Sequence, residues 1–301
     1  LAAQDEKLDA WDKVRDEIGP AAVDARLAGY RDGVENQVKR VDELARTALG
    51  LAEGARTELT RVEQDLDRDP GRMWRELVGP TVQLMGEDTV GSGVLLQSER
   101  VAGTDEYRTY LITAWHVVRD IQASAESLEA PVPVTIYTPD KSVTAETATL
   151  LEHDAEIDAA LLVLRTKRQI ECGAKLASRE RLASARIFDR IYAVGCPLGN
   201  DPIPTYGEVA DTHHVVDGQR YWMISAPTYI GNSGGGVFDA RTHELLGIFS
   251  KIYTHGSVRP TVVPHMGLAT SLIPIYDWLD KVGYASLEPA RVSAQTASAQ
   301  R

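Results

Sequence analysis

The sequence predicts a mainly β protein: two small six-stranded antiparallel barrels, preceded by a long α-helical extension and closed by a short C-terminal helix. Three observations predict it. From residue 81 onward about a dozen short runs rich in β-branched, aromatic and aliphatic residues are separated by turn residues, the pattern of strands in a barrel or sandwich. Before residue 70 no such run exists, and apolar residues recur at helical spacing. Near the end, Ser271-Leu-Ile-Pro-Ile-Tyr-Asp-Trp-Leu-Asp-Lys-Val282 sets Leu272, Ile275 and Leu279 on one helical face behind a serine cap.

Taken in order, the first element is the helix. Stepping by seven from Leu27 gives Val34, Val41, Ala48, Ala55 and Val62, a wholly apolar row. A second row, Tyr30, Gln37, Leu44, Leu51, Glu58 and Asp65, decays, and the stripe drifts to Leu59 and Leu66 as a period nearer 3.6 than 3.5 requires. This spacing predicts one long amphipathic helix over about 21–68, bounded by the breakers Gly19-Pro20 and Pro70-Gly71. Asp24, Asp32, Glu35 and Glu43 interleave with Arg26, Arg31, Lys39, Arg40 and Arg46, as on a solvated face. A helix this long needs support, so its stripe should meet a second copy, a protein partner or the downstream domain. Trp11 and Trp74 are expected to be packing anchors.

The strands follow at Thr81–Met85, Gly93–Gln97, Tyr107–Thr113, Val132–Tyr137, Ala148–Leu151 and Ala159–Leu164, then at Arg190–Val194, Gly207–Ala210, Tyr221–Ser225, Gly235–Phe238, Leu245–Ile252 and Met266–Thr270. Two groups of six make barrels at about 78–165 and 185–272, with the closing helix at 271–282. The expected division is a helical extension over 1–75, a β domain over 76–284, and a mobile tail over 285–301 of small and polar residues.

Composition narrows the function. The 301 residues, 43% hydrophobic and 25% charged, read as an ordinary folded protein with room for a sizeable core. With 44 acidic against 32 basic residues and a net charge of −12, a nucleic-acid backbone meets a repelling field, so nucleic acid is not the expected partner. No run is long and apolar enough to span a bilayer. The opening residues lack a basic region followed by an apolar stretch, although a chain that begins on leucine leaves a removed leader open. Cys172 and Cys196 are too few for a disulfide framework and lack zinc-binding spacing; two packed free thiols are expected. His213-His214 has no clustered ligands and reads as an exposed turn.

Three segments carry chemistry. His116 ends an apolar strand in Thr113-Ala-Trp-His, a place where a lone histidine is usually structural. Asp158 enters the apolar strand Ala159-Ala-Leu-Leu-Val-Leu, where an aspartate is commonly a turn residue, and Asp154 lies just before it. Ser233 stands in Gly231-Asn-Ser-Gly-Gly-Gly236. Glycines at this density serve a nucleophile: its neighbours must take torsions, and bring backbone N–H groups close to a developing oxyanion, in ways that side chains obstruct. The order His, Asp, Ser, at separations of 42 (158 − 116) and 75 (233 − 158), in a chain that reads as two β barrels, weighs steeply against the alternative of a bland glycine hairpin.

On these residues the sequence resembles the trypsin-like serine peptidases of chymotrypsin fold, most closely their bacterial HtrA branch. Gly91-Ser-Gly93-Val-Leu-Leu resembles the glycine-bearing strand of the first barrel, and Val194-Gly-Cys-Pro-Leu-Gly199 and Gly207-Glu-Val resemble a loop and strand of the second. Gly247-Ile-Phe-Ser250-Lys and Met266-Gly-Leu-Ala269 resemble the strands lining the substrate pocket. The resemblance covers about 78–282; the nineteen residues after Val282 (301 − 282) leave no room for a PDZ domain, and the helical extension is outside it.

The resemblance implies a serine endopeptidase acting on extended or unfolded polypeptide, with no metal and no organic cofactor. Ser233 would be the nucleophile, His116 the general base, Asp158 its orienting carboxylate in preference to Asp154, and the amides of Gly231 and Ser233 the oxyanion hole. Pro227, Tyr229, Ile230, Ser250, Lys251, Ile252 and Met266 would bind substrate, a small or medium apolar side chain preceding the scissile bond. Asn232 stands where zymogen-activated members carry aspartate, which implies an enzyme not switched on by a new N-terminus. The resemblance favours an extracytoplasmic setting. The rival expectation is a latent or inactive peptidase fold serving as a scaffold attached through the helix.

Overall fold

Helix α1, Pro20–Leu66, is 47 residues long, about 70 Å at 1.5 Å per residue. Pro20 opens it at a position where a missing N–H costs nothing. The computed structural model describes residues 19–66, 69–123, 129–256 and 261–289, together with Ala10 and Lys13. Trp11 and most of the expected tail, 290–301, lie outside the described residues. The chain divides into two compact units, Leu1–Arg68 and Asp69–Arg301.

In α1 every described side chain is exposed, including the apolar row Leu27, Tyr30, Val34, Val41, Leu44 and Leu51. What stabilises it internally is local: Arg46 pairs with Asp42 at 3.0 Å, and the hydroxyls of Thr47, Thr57 and Thr60 donate to carbonyls four residues back. Exposed pairs of this kind contribute a few tenths of a kcal/mol.

Pro70-Gly71, the breaker that follows α1, itself starts a second helix, α2, Pro70–Met73, which continues as a π-helical turn over Trp74–Val78. Asp69 is the reason: its carboxylate accepts the Gly71 N–H at 2.8 Å, and proline suits the first helical position.

Among the described residues, twelve strands follow in two closed barrels. The first contains β1 (Thr81–Met85), β2 (Val90–Arg100), β3 (Tyr107–Thr113), β4 (Val132–Tyr137), β5 (Val143–Asp154) and β6 (Ala159–Thr166), in the order β1-β2-β3-β6-β5-β4. Helix α3 (Trp115–Ala123) lies between β3 and β4, and α4 (Arg179–Ala183) lies in the connection to the second barrel. That barrel contains β7 (Arg190–Gly195), β8 (Ile203–Val216), β9 (Gln219–Ile224), β10 (Gly236–Asp239), β11 (Leu245–His255) and β12 (Thr261–Ser271), in the order β10-β11-β12-β9-β8-β7. Helix α5 (Leu272–Lys281) closes the domain. The sheets are antiparallel throughout, which gives the mainly β, chymotrypsin-like fold that the sequence predicts.

The continuous apolar runs of β2, β3 and β6 have a physical cause: both faces are buried. Leu95, Leu111 and Leu162 point into the first barrel with Val117, Val118 and Ile121 of α3, whereas Val94, Ile112 and Leu161 join a cluster with Val194, Phe238 and Phe249 of the second. A strand covered on two sides loses the alternation of a half-exposed one. Strand β8 behaves oppositely. Its burial alternates poorly and it runs well beyond the expected 207–210, so His213 and His214 lie in a strand and not in a turn. The start of the expected tail is tied down: Ala285–Leu287 form a 3-10 turn, and Glu288 pairs with Arg179 at 2.7 Å beside Asp277 at 2.6 Å.

Candidate active site

His116 is the second residue of α3, whose N-terminal N–H groups have no partner within the helix. Asp158 supplies one from another element. Its Oδ1 accepts the His116 backbone N–H at 3.0 Å, and the imidazole Nδ1 lies 2.8 Å from Oδ2 and 3.1 Å from Oδ1. Asp158 itself adopts φ +52 between the loop and β6, a left-handed conformation that aspartate tolerates better than most residues. One carboxylate thus fixes both the helix start and the ring. Asp154 does something else: its Oδ1 accepts the N–H groups of Glu156 and Ile157 and closes its own turn.

Burial pushes the Asp158 carboxyl up, but the hydrogen bond and charge of His116 and the hydrogen bond of Ser250 outweigh it, and the net displacement is downward. An ionised Asp158 leaves the proton on Nδ1, so Nε2 is the acceptor atom of a ring whose side chain is 31% exposed.

Ser250 is placed by an irregularity. Phe249 pairs with Ala269 and Lys251 with Leu268, so Ser250 is the extra residue of a β-bulge in β11. The bulge directs its buried hydroxyl to Asp158 Oδ2 at 2.6 Å, while its carbonyl accepts the Ser233 hydroxyl at 3.0 Å. Sequence reasoning placed Ser250 with the substrate residues; its side chain is committed to the aspartate. Among the described residues Ser233 makes no hydrogen bond to His116.

The loop before β10 orients backbone. In a trans peptide the N–H points opposite to the carbonyl of the preceding residue. The Ile230 carbonyl accepts from Leu198 N–H at 2.8 Å, and the Asn232 carbonyl accepts from Gly235 N–H at 2.8 Å. The amides of Gly231 and Ser233 are therefore turned away from those partners, and neither donates to a protein acceptor among the described residues. Gly231 (φ +98) and Gly234 (φ +83) hold left-handed torsions, and a Cβ on Gly234 would overlap the Ser92 carbonyl and the Thr113 hydroxyl.

Of the remaining residues read as substrate-binding, Tyr229 and Ile230 are exposed and Pro227 is half-buried, with its carbonyl held by Thr205 at 2.8 Å. Lys251 lies over the Tyr221 ring at 4.9 Å, Ile252 packs on the main core, and Met266 packs with Tyr221, Met223 and Leu268. Cys196, fully buried, has its thiol pushed up to about 12 by burial, and Cys172 is half-buried and also raised by burial; both are free. Among the described residues no group of three metal-ligating side chains converges, and no helix is long and apolar enough to cross a membrane.

Sequence reasoning missed Ser92. It was legible only as the middle of Gly91-Ser-Gly93, whose glycines lie against Val117 and Leu111 of the first barrel and gave no signal of its second-barrel partners.

Known proteins resemble this arrangement. The family described as "Trypsin-like peptidase domain" matches residues 91–248. A solved structure, the serine endoprotease from Yersinia pestis, aligns with a TM-score of 0.52 at 20% identity over 70% of this chain, which spans 65% of that protein's length. No curated protein matches.

Proposed function

The chain belongs to the family of trypsin-like peptidase domains, and from that premise we propose that it is a serine endopeptidase cleaving extended or unfolded polypeptide through an acyl-enzyme. Ser233 Oγ attacks the scissile carbonyl carbon while His116 Nε2 takes its proton. The oxyanion is received by the amides of Gly231 and Ser233. Collapse breaks the C–N bond, His116 returns the proton to the leaving amine, and water hydrolyses the ester by the same route. Asp158 holds the imidazole tautomer and stabilises its charged form. The observation that carries this reading is the His116–Asp158 pair, two ring contacts and one backbone contact to a single carboxylate, which leaves Nε2 as the basic atom.

Substrate backbone adds along 250–252, beside the half-buried Pro227 and exposed Tyr229 and Ile230, with Lys251, Ile252 and Met266 flanking. The side chain before the scissile bond is small or medium and apolar. No resident metal or organic cofactor takes part in this proposed chemistry.

One observation favours the second reading, a resting enzyme that is latent: the Ser233 hydroxyl is engaged by the Ser250 carbonyl. Turning about χ1 frees it for Nε2. The exposed stripe of α1 supports attachment to a protein partner or a second copy as the setting in which that happens. Reaction with a fluorophosphonate probe tests both readings, beside Ser233→Ala and His116→Ala variants of equal folding. Labelling confined to the unmodified chain supports the peptidase. Absence of labelling until a protein partner is added supports latency, and absence under all conditions excludes the peptidase reading.

A further inference from the structure

Ser92 lies in β2 of the first barrel, yet three of its hydrogen bonds reach the second, two to the loop at 231–233 and one to the turn beside it. Its N–H donates to the Ser233 carbonyl at 2.7 Å. Its hydroxyl donates to the Gly231 carbonyl at 2.6 Å and accepts from the Cys196 N–H at 2.7 Å. Its own carbonyl accepts from the Thr113 hydroxyl at 2.6 Å, which ties it to β3, three residues before His116. The residue is fully buried, so every one of these bonds is shielded from water.

The pattern is selective. The carbonyls of Gly231 and Ser233 lie in the peptides directly following those that carry the two oxyanion amides of the proposed reaction, and Ser92 holds both. The Cys196 amide that it accepts opens the Pro197–Gly199 turn, and Leu198 in that turn holds the Ile230 carbonyl at 2.8 Å. One hydroxyl therefore couples the loop to its neighbouring turn, and that turn fixes the peptide carrying the Gly231 N–H. Asn232, between the two amides, offers no comparable anchor: its side chain is buried, and its Oδ1 has no hydrogen-bond partner.

We propose that Ser92 is the positioning residue of the oxyanion hole, a permanent inter-barrel pin that holds the Gly231 and Ser233 amides in their reactive orientation without a charge at position 232. The inference rests on the peptidase reading for its kinetic consequence but not for its structural one. Ser92 does not touch substrate. It acts through Gly231, Ser233 and Cys196, so its removal weakens transition-state stabilisation and spares ground-state binding.

The test uses the full chain with Ser92→Ala and Ser92→Gly, which delete the hydroxyl and keep the backbone bonds. Expected on a peptide substrate is a fall in kcat of about 10- to 100-fold, part of the 10²–10³ associated with losing an oxyanion donor outright, with KM within about twofold. Affinity for a peptide boronate falls by the same factor as kcat, and affinity for a product-like peptide acid is unchanged. Amide hydrogen exchange accelerates at position 92, Cys196 and Gly234, and not in β1, β3 or β6.

Unchanged kcat in both variants overturns the proposal. So does a fall in kcat accompanied by exchange accelerating throughout both barrels, which marks Ser92 as merely structural. If the unmodified chain neither labels nor hydrolyses peptides, the peptidase reading fails, and exchange alone decides: local acceleration at the three amides upholds the pin, and unaltered exchange overturns it.

Discussion

The two barrels share strand number and closure but differ in what they contribute to the site. The first contributes side chains: His116 on a helix start, Asp158 at the entry to β6, and the Ser92 hydroxyl inside β2. The second contributes the hydroxyls of Ser233 and Ser250 but chiefly backbone: the amides of Gly231 and Ser233, the carbonyl of Ser250, and a turn in which Leu198 and Gly199 both hold positive φ. The difference teaches where each barrel tolerates change. A side-chain site depends on chemical identity at a few positions and asks little of the torsions around them. A backbone site depends on torsions and close approach, so small residues become irreplaceable for reasons unrelated to reactivity.

Four experiments sharpen or break that division. The largest effect is expected at the chemical positions: Asp158→Asn, which keeps the shape and loses the tautomer control, should lower kcat by about 10⁴ in steady-state assays with unfolding free energy reduced far less than activity. Next is Gly234→Ala. A Cβ there meets the Ser92 carbonyl and the Thr113 hydroxyl in a left-handed conformation, so urea unfolding should show a loss of about 2–5 kcal/mol. Equal tolerance of both substitutions would end the distinction.

Ser250→Ala is intermediate and pH-dependent. The Asp158 carboxyl is held below its unfolded value of about 3.9, so its contribution to stability is present above that pH and is lost as pH falls through the folded value. Removing the Ser250 hydroxyl should therefore cost about 1–3 kcal/mol at pH 7, and the difference from the unmodified chain should shrink below about pH 4. A difference that grows on acidification contradicts the assignment. The smallest effect is at the thiols. With Cys196 pushed up to about 12 and Cys172 also raised, a thiol-reactive disulfide reagent at pH 8 should modify the folded chain far more slowly than the chain in denaturant.

Legibility followed the same line. The strands Thr81–Met85, Tyr107–Thr113 and Val132–Tyr137 have the ends that the sequence predicts, because apolar runs stop where turn residues begin. His116, Asp158 and Ser233 stood out as candidates because chemical identity is written in residue type. Helix α3 was passed over, although Val117, Val118 and Ile121 have helical spacing, because nine residues behind a strand give little periodicity to read. The part played by Ser250 was hidden for a stronger reason: a bulge is a property of pairing register, and register is set by a partner strand that local sequence does not reveal. Ser92 combined both difficulties, being an ordinary residue type whose partners are 104 and 139 positions away.

Ser250 has a mechanical corollary. One bulged residue grips the Asp158 carboxylate with its hydroxyl and the Ser233 hydroxyl with its carbonyl. A displacement of β11 at this residue would therefore move the partners of both groups at once. In the proposed peptidase, the orienting carboxylate and the nucleophile are thereby geared together through the strand proposed to receive the substrate.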